Sequence, residues 1–422
     1  MIDFDISVIP AVRVSDKTTP EIRAYLYCDG YLTVSAEQDG KTTRIGTWEL
    51  KAGTVKSIYT TFRDIRGMFN LCFDFSDKNG NHIGTKEWMY EVIPSGLPST
   101  TLIDGCWVDL YHWDEKEGRW FNKALRKLTE EDWKEQIRSM SRVGIRGVVI
   151  QNMFYSNEYV GKNNLTLENY NGLAFYPSKL YPYRFDIAAR DVLSAILEAA
   201  DECNMHVLVG VGLFAWFDFS PISLEWHKRV AKELFDMYGH HKSFYGYYVS
   251  EEIPGSLYDD WPEIRHRWTE IADFFREFKA YVNSLTPTKP VALAPNNIRF
   301  HEFEAEWSEI LKNIDILLPF AFARDLENLN IKEIAAICKK SSTHFWVDME
   351  MFKFPLDNGL IPKDIDELLK EIRIYDELEQ IYGYEYTGHM NAPDCPHDLG
   401  GNAAKVLYTS YQEYYNKIAK IE

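Results

Sequence analysis

What the 422-residue chain lacks narrows its chemistry first. No Cys-x-x-Cys occurs, and the six cysteines, Cys28, Cys72, Cys106, Cys203, Cys338 and Cys395, are scattered, so zinc and dithiol chemistry are unsupported. Cys28 and Cys72 are expected in strands of the first domain, able to face one another as reduced core thiols. There is no Gly-x-Ser-x-Gly elbow and no Walker loop. No apolar run reaches membrane-spanning length, and Met1-Ile-Asp-Phe-Asp5 carries neither the basic nor the apolar part of a leader. The chain as written is therefore expected in the cytoplasm, or outside the cell had a leader been removed, with no membrane partner. Positive charge is in short supply: 46 Lys and Arg stand against 64 Asp and Glu, a formal net charge of −18. That surface repels phosphate backbones and anionic lipid, which argues against nucleic acid as a partner.

Aromatic residues are abundant instead, at 15%, with 12 Trp and 26 Tyr. They suit a large core and, equally, flat platforms for sugar rings. Residues 1–98 read as short strands between turn signals: 22–27, 31–35, 44–48, 55–62, 68–75 and 88–93. Asp77-Lys-Asn-Gly80 reads as a hairpin loop, since Asn and Gly tolerate positive φ. This spacing predicts an immunoglobulin-like β-sandwich, ended by the linker Pro94-Ser-Gly-Leu-Pro-Ser99. From 99 to 422 strand and helix alternate eight times, with strands expected at 102–113, 145–154, 205–214, 245–253, 290–297, 315–322, 344–352 and 381–390. The expected fold is α/β: a (β/α)8 barrel preceded by the sandwich. A doubly wound sheet would place a Gly-rich loop after its first strand, and Asp104-Gly-Cys-Trp-Val-Asp-Leu-Tyr111 has none. The connection 155–185 is long and aromatic and would wall one side of a cleft at the open end of the strands.

Side chains alternate along a strand, which sorts the acids. Strand four, Tyr245-Gly-Tyr-Tyr-Val-Ser-Glu-Glu-Ile-Pro254, begins apolar and ends in two carboxylates. With Tyr247 and Val249 toward the helices, Gly246, Tyr248, Ser250 and Glu252 point inward, and Glu251 points sideways to a neighbouring loop. Strand seven, Phe345-Trp-Val-Asp-Met-Glu-Met-Phe352, puts Phe345, Val347, Met349 and Met351 outward and Trp346, Asp348 and Glu350 inward. Glu252 and Glu350 thus form a pair across one cleft mouth. Their bland alternative is a structural ion network with an arginine such as Arg324. Rim aromatics offered as sugar platforms are Trp113, Phe154, Tyr155, Trp216, Tyr248, Trp346 and Tyr386. Polar partners are Asp109, His112, Gln151, Asn152, Asn296, Asn297, Asp348 and His389, the amides suiting hydroxyl recognition.

Gly246-Tyr-Tyr-Val-Ser-Glu-Glu-Ile253 and Trp346-Val-Asp-Met-Glu-Met-Phe352 resemble the large clan of (β/α)8 glycoside hydrolases. More closely they resemble a bacterial family of glycoside-hydrolase-like barrel proteins, over roughly residues 100–420. The resemblance implies a retaining glycosidase acting on a glycan or oligosaccharide, with Glu252 as acid/base and Glu350 as nucleophile and no cofactor. The clan places Asn before its acid/base; here Glu251 stands before Glu252. If Glu251 is the acid/base, Ser250 takes the Asn position, so both assignments stay open. Two rivals remain: a non-catalytic carbohydrate-binding barrel, and a phosphosugar isomerase or lyase that would use Gly400-Gly401 to hold phosphate at a helix N-terminus. His389, Asp394, Cys395 and His397 have metal-ligand types without a ligand spacing, and no metal is expected. His240-His241 reads as a solvated loop behind the site.

Overall fold

The computed structural model describes residues 3–62, 64–94, 101–261, 267–321, 330–375 and 378–419. The chain forms two compact units, one of Met1–Pro98 with Val282–Lys289, the other of Ser99–Tyr281 with Pro290–Glu422. The first unit holds a three-stranded sheet, Phe4–Ile9, Glu21–Leu26 and Val55–Tyr59, and a five-stranded sheet, Arg13–Ser15, Gly30–Gln38, Lys41–Leu50, Gly67–Asp77 and His82–Ile93. Alternation is plain in Gly30–Gln38, whose residues Leu32, Val34 and Ala36 go inward. They join Ile6, Val8, Ile22, Ala24, Leu26, Phe73 and Phe75 in a core shared by both sheets, as two sheets each apolar on one face require. The strands Phe4–Ile9 and Arg13–Ser15 were not foreseen. In the first, Phe4-Asp-Ile-Ser-Val8 alternates apolar and polar, yet Asp5 and Ser7 are buried along with Ile6 and Val8. Cys28 lies in the turn after Glu21–Leu26 rather than in a strand, and all six cysteines are free thiols.

The second unit is mixed α/β, built on one curled, all-parallel sheet. Its strands pair in chain order: Gly105–Val108, Gly147–Ile150, His206–Gly210, Phe244–Val249 and Val291–Leu293. The sixth strand comes in two pieces, Ile316–Leu317 and Phe320–Ala321, because Pro319 cannot donate to the ladder. The seventh is divided likewise, into His344–Phe345 and Val347–Glu350, each piece pairing with its counterpart in the sixth. The eighth, Ile381–Tyr384, pairs with both the seventh and the first. Nearly every strand residue is buried, as expected of a parallel sheet covered on both faces.

Helices follow most strands. Glu130–Arg142 starts in a reciprocal cap between Thr129 and Asp132. Pro221–Tyr238 begins on the Ser220 cap with Pro at its first position. The other α-helices among the described residues are Asn122–Leu125, Val192–Glu202, Trp268–Leu285, Glu304–Leu311, Ile331–Ser341, Ile365–Ile372 and Gly401–Ala419. The inner face of the sheet is aromatic. Trp107 meets Tyr248, Tyr382 and Tyr384 with ring centroids 6.1–6.2 Å apart, and Trp346 stacks on Tyr382 at 5.1 Å. Gly105 and Gly147 leave the room that the Tyr382 ring fills; a Cβ on either would collide with it.

Candidate active site

The acids sit where strands one, four, seven and eight run out. After Val249 the chain leaves the sheet, and Asn296 N donates to Ile253 O at 2.9 Å, joining the exits of strands four and five. The Asn296 side chain donates to Glu252. Glu252 remains open to solvent, yet the surrounding protein crowds it. Burial raises its pKa against the Asn296 hydrogen bond, and the charge of Glu117 adds to the rise. Glu251 turns the other way and is fully enclosed. Its Oε2 accepts from Phe217 N at 3.0 Å in the exit loop of strand three, while Oε1 has no partner. Burial pushes its pKa up to about 8, opposed by the Phe217 amide, raised further by Asp218 and lowered by Arg267. Phe217, Leu257, Tyr258 and Arg299 hold left-handed backbone at φ of 50–65°. Such clustering of strained residues on strand exits is common where side chains must be aimed.

On strand seven, Asp348 and Glu350 stand in register with Tyr382 and Tyr384 of strand eight, and both are buried. Asp348 Oδ1 has no partner. Its pKa is raised well above the usual range by burial, then by the charges of Glu350 and Glu252. The acids of strands four and seven therefore act on one buried carboxyl. Lys363 donates to the Glu350 backbone oxygen at 2.6 Å and also pairs with Glu371. Arg324 lies outside the described residues.

The exit of strand one carries Asp109 and His112. Asn122 clamps the His112 backbone, accepting from its N at 2.8 Å and donating to its O at 3.0 Å. His112 Nε2 pairs with Glu117 at 2.8 Å. Its Nδ1 stands 3.7 Å from Asp109 Oδ2 and 3.8 Å from Glu385 Oε1. Burial alone would lower the imidazole pKa, but Asp109, Glu117 and Glu385 together outweigh it and raise it to about 10. Tyr384 donates to Asp109 Oδ2 at 2.9 Å, and Thr387 bridges Asp109 to Glu385. Burial and the charge of Asp109 raise Glu385 well above the usual range, against His112 and Thr387, with Asp348 adding to the rise. Among the described residues, Asp109, His112 and Glu385 are the one group whose side chains lie close enough to hold a metal ion, with ligand atoms within 4.8 Å of one another.

Glu385, Tyr384 and Glu117 were not anticipated from the sequence. Strand eight is four residues long and stops at Tyr384, so alternation extended over 381–390 fails from Glu385 onward. The same early stop corrects Tyr386: it is fully buried, with its hydroxyl 2.6 Å from Ser139 Oγ on the helix Glu130–Arg142, and offers no platform. His389 is also sealed, between Phe121 and Phe352, with burial lowering its pKa to about 3. Trp346 and Tyr248 are interior packing rather than rim. Phe154 is buried among Tyr170, Tyr176, Tyr181 and Trp226. Trp113 stays exposed and meets Trp216 edge-on at 6.3 Å. Trp216 in turn stacks on the exposed Tyr159 at 6.4 Å, while its Nε1 donates to Ser156 O. Tyr155 is half-buried against Phe185. Asn152 and Gln151 are half-buried, and Asn297 fully, each with an unpaired amide atom. Of the set-aside residues, Asp394 pairs with Arg142, Cys395 accepts from Gln136 and His397 pairs with Asp132, so each has a structural partner. His241 is largely covered and pairs with Asp201, which corrects its reading as solvated.

Comparison with solved structures places this fold beside that of a "putative alpha-L-fucosidase" from Bacteroides thetaiotaomicron, at TM-score 0.55 and 20% identity over 75% of this chain and 94% of that one. Weaker similarity extends to beta-glucuronidases from Bacteroides uniformis (TM-score 0.45, 12% identity, 98% of this chain and 50% of that) and Parabacteroides merdae (0.40, 12%, 98% and 54%). The chain spans about half the length of those two glucuronidases. Comparison with curated proteins gave no match. The family model described as a domain of unknown function, DUF4434, matches residues 103–397, and the chain belongs to that family.

Proposed function

We propose that this chain is a retaining glycoside hydrolase with Glu252 as general acid/base and Glu350 as nucleophile. On this reading the curled sheet is a (β/α)8 barrel, closed where the split sixth and seventh strands pair, and the N-terminal unit is an immunoglobulin-like sandwich. The carrying observation is that Glu252 and Glu350, from the ends of strands four and seven, both press on the buried Asp348. The chemistry needs one carboxyl that holds a proton for the leaving oxygen and one that attacks. Glu252, open to solvent with its pKa raised, suits the first role. Glu251 also has its pKa raised by burial, but it is sealed against Phe217. The fold shared with a protein described as a fucosidase supports the same class of reaction. Trp113 supplies an exposed ring a sugar would stack on.

The test is turnover of a panel of 4-nitrophenyl glycosides by the wild type, Glu252→Gln and Glu350→Gln. Either substitution is expected to lower kcat by roughly 10²–10⁴-fold, with sugar binding kept. Proton NMR of the first-formed anomer should show retention, as carboxyls about 5–5.5 Å apart give. Sugar binding by the wild type with no turnover on any glycoside would make the chain a binding barrel instead.

A further inference from the structure

His112 Nδ1 and Glu385 Oε1 are both buried and both without a partner. They lie 3.8 Å apart, and Asp109 Oδ2 lies 3.7 Å from the same nitrogen. These gaps are too long for direct hydrogen bonds and suit one inserted polar atom. The rest of the cluster is fixed: Nε2 is taken by Glu117, Asp109 Oδ2 by Tyr384 and Glu385 Oε2 by Thr387. The cluster thus keeps buried, unpaired polar atoms facing one notch, beside the carboxyls assigned to the reaction. Glu117 acts electrostatically on Glu252, and Asp348 acts on Glu385.

We propose that this notch reads a neutral ring hydroxyl of the sugar in the reactive subsite, which accepts from His112 Nδ1–H and donates to Asp109 or Glu385. It follows that the hydrolase takes neutral hexosides or deoxyhexosides and rejects uronides and glycosaminides; this rests on the hydrolase reading above.

The other occupants are disfavoured by charge or by the hydrogen bonds they lack. A divalent ion would have to displace the proton that Asp109, Glu117 and Glu385 hold on the imidazole. A uronate carboxylate is an acceptor only and has no proton to donate to Asp109 or Glu385. An ammonium is a donor only and would leave His112 Nδ1–H without an acceptor. A hydroxyl is the group that is at once acceptor and donor without charge. A sugar lacking it would leave buried polar atoms unpaired, the situation that gives hydrogen-bonding sites their strong discrimination.

The experiment compares wild-type turnover of neutral 4-nitrophenyl hexosides and deoxyhexosides with that of the matching uronides and glycosaminides. It adds calorimetric titration of the corresponding methyl glycosides, and of Zn²⁺ and Mn²⁺, into the wild type and into His112→Gln. Expected are turnover of a neutral glycoside alone, a KM raised roughly tenfold or more in His112→Gln with a smaller change in kcat, and no stoichiometric metal. Preference for a uronide or a glycosaminide overturns the inference and leaves the hydrolase standing. Stoichiometric metal binding abolished by His112→Gln also overturns it. Binding of a neutral methyl glycoside without turnover, lost in His112→Gln, sustains the notch and sinks the hydrolase. Absence of both binding and turnover for every sugar ends both. The wild-type panel needs no variant to fold, so the discrimination stands even if His112→Gln is unstable.

Discussion

Two adjacent glutamates on strand four end in opposite surroundings, one sealed and one open, and the difference is measurable through pH. Glu251 in the folded protein keeps its proton up to about pH 8, whereas in the unfolded chain it releases it near the ordinary value of 4.5. Its contribution to stability is therefore full below about pH 4.5 and is lost as pH rises through 8, at about 1.4 kcal/mol for each pH unit climbed between those two values. Denaturant midpoints of the wild type should fall between pH 5 and 8.5, and Glu251→Gln should remove part of that fall. A variant whose pH slope matches the wild type would mean that Glu251 is ionised in the fold. His112 behaves oppositely in charge and alike in sign. With its folded pKa raised to about 10, its stabilisation is complete below about 6.5 and disappears as pH rises through 10. The His112 ring resonances should accordingly stay in the imidazolium position at pH 8, and titration near 6.5 would refute the carboxylate cage around it.

At the scale of elements, the connection 155–185 is held by one buried carboxylate. Glu233, on the helix Pro221–Tyr238, accepts from Tyr176 Oη (2.6 Å), Ser178 Oγ (2.7 Å), Lys179 N (2.6 Å) and Leu180 N (3.1 Å). Removing the acceptor strands four donors, so Glu233→Ala is expected to cost about 3 kcal/mol and to expose the loop to limited proteolysis. An unchanged cleavage pattern would mean that the Phe154–Tyr155 pairing with Leu173–Ala174 suffices to hold the loop. What could be read beforehand follows the same physics. Alternation assigned the inward faces of strands four and seven because those runs are long and one face is uniformly apolar. Strand eight was not legible, because nothing in Tyr384-Glu-Tyr386 announces that the ladder ends there. The notch was hidden for the same reason: its members come from residues 109, 112 and 385, which only the pairing of strand eight with strand one brings together.

For the molecule as a whole, the consequential feature is that the first compact unit includes Val282–Lys289 as well as the N-terminal residues. Asp5 Oδ2 accepts from Thr288 Oγ1 at 2.7 Å, and Ser7 shares a hydrogen bond with the same hydroxyl at 2.9 Å, all of it buried. Burial by itself would raise the pKa of Asp5, but Lys86, Lys289 and Thr288 more than offset it and hold it low. Burial pushes Lys289 down to about 8, with Asp5 opposing the shift and Lys86 reinforcing it. Taking away the carboxylate leaves two cations facing each other and the Thr288 hydroxyl with Ser7 alone, so Asp5→Ala should cost about 2–3 kcal/mol. A chain begun at residue 99 loses Asp5, Ser7 and the sheets together, while Val282–Lys289, the end of the helix Trp268–Leu285 and the residues after it, stays behind. Its thermal midpoint and soluble yield should fall well below those of the full chain, by more than Asp5→Ala alone produces. Equal midpoints for the truncated and full chains would mean that Val282–Lys289 needs nothing from the first 98 residues.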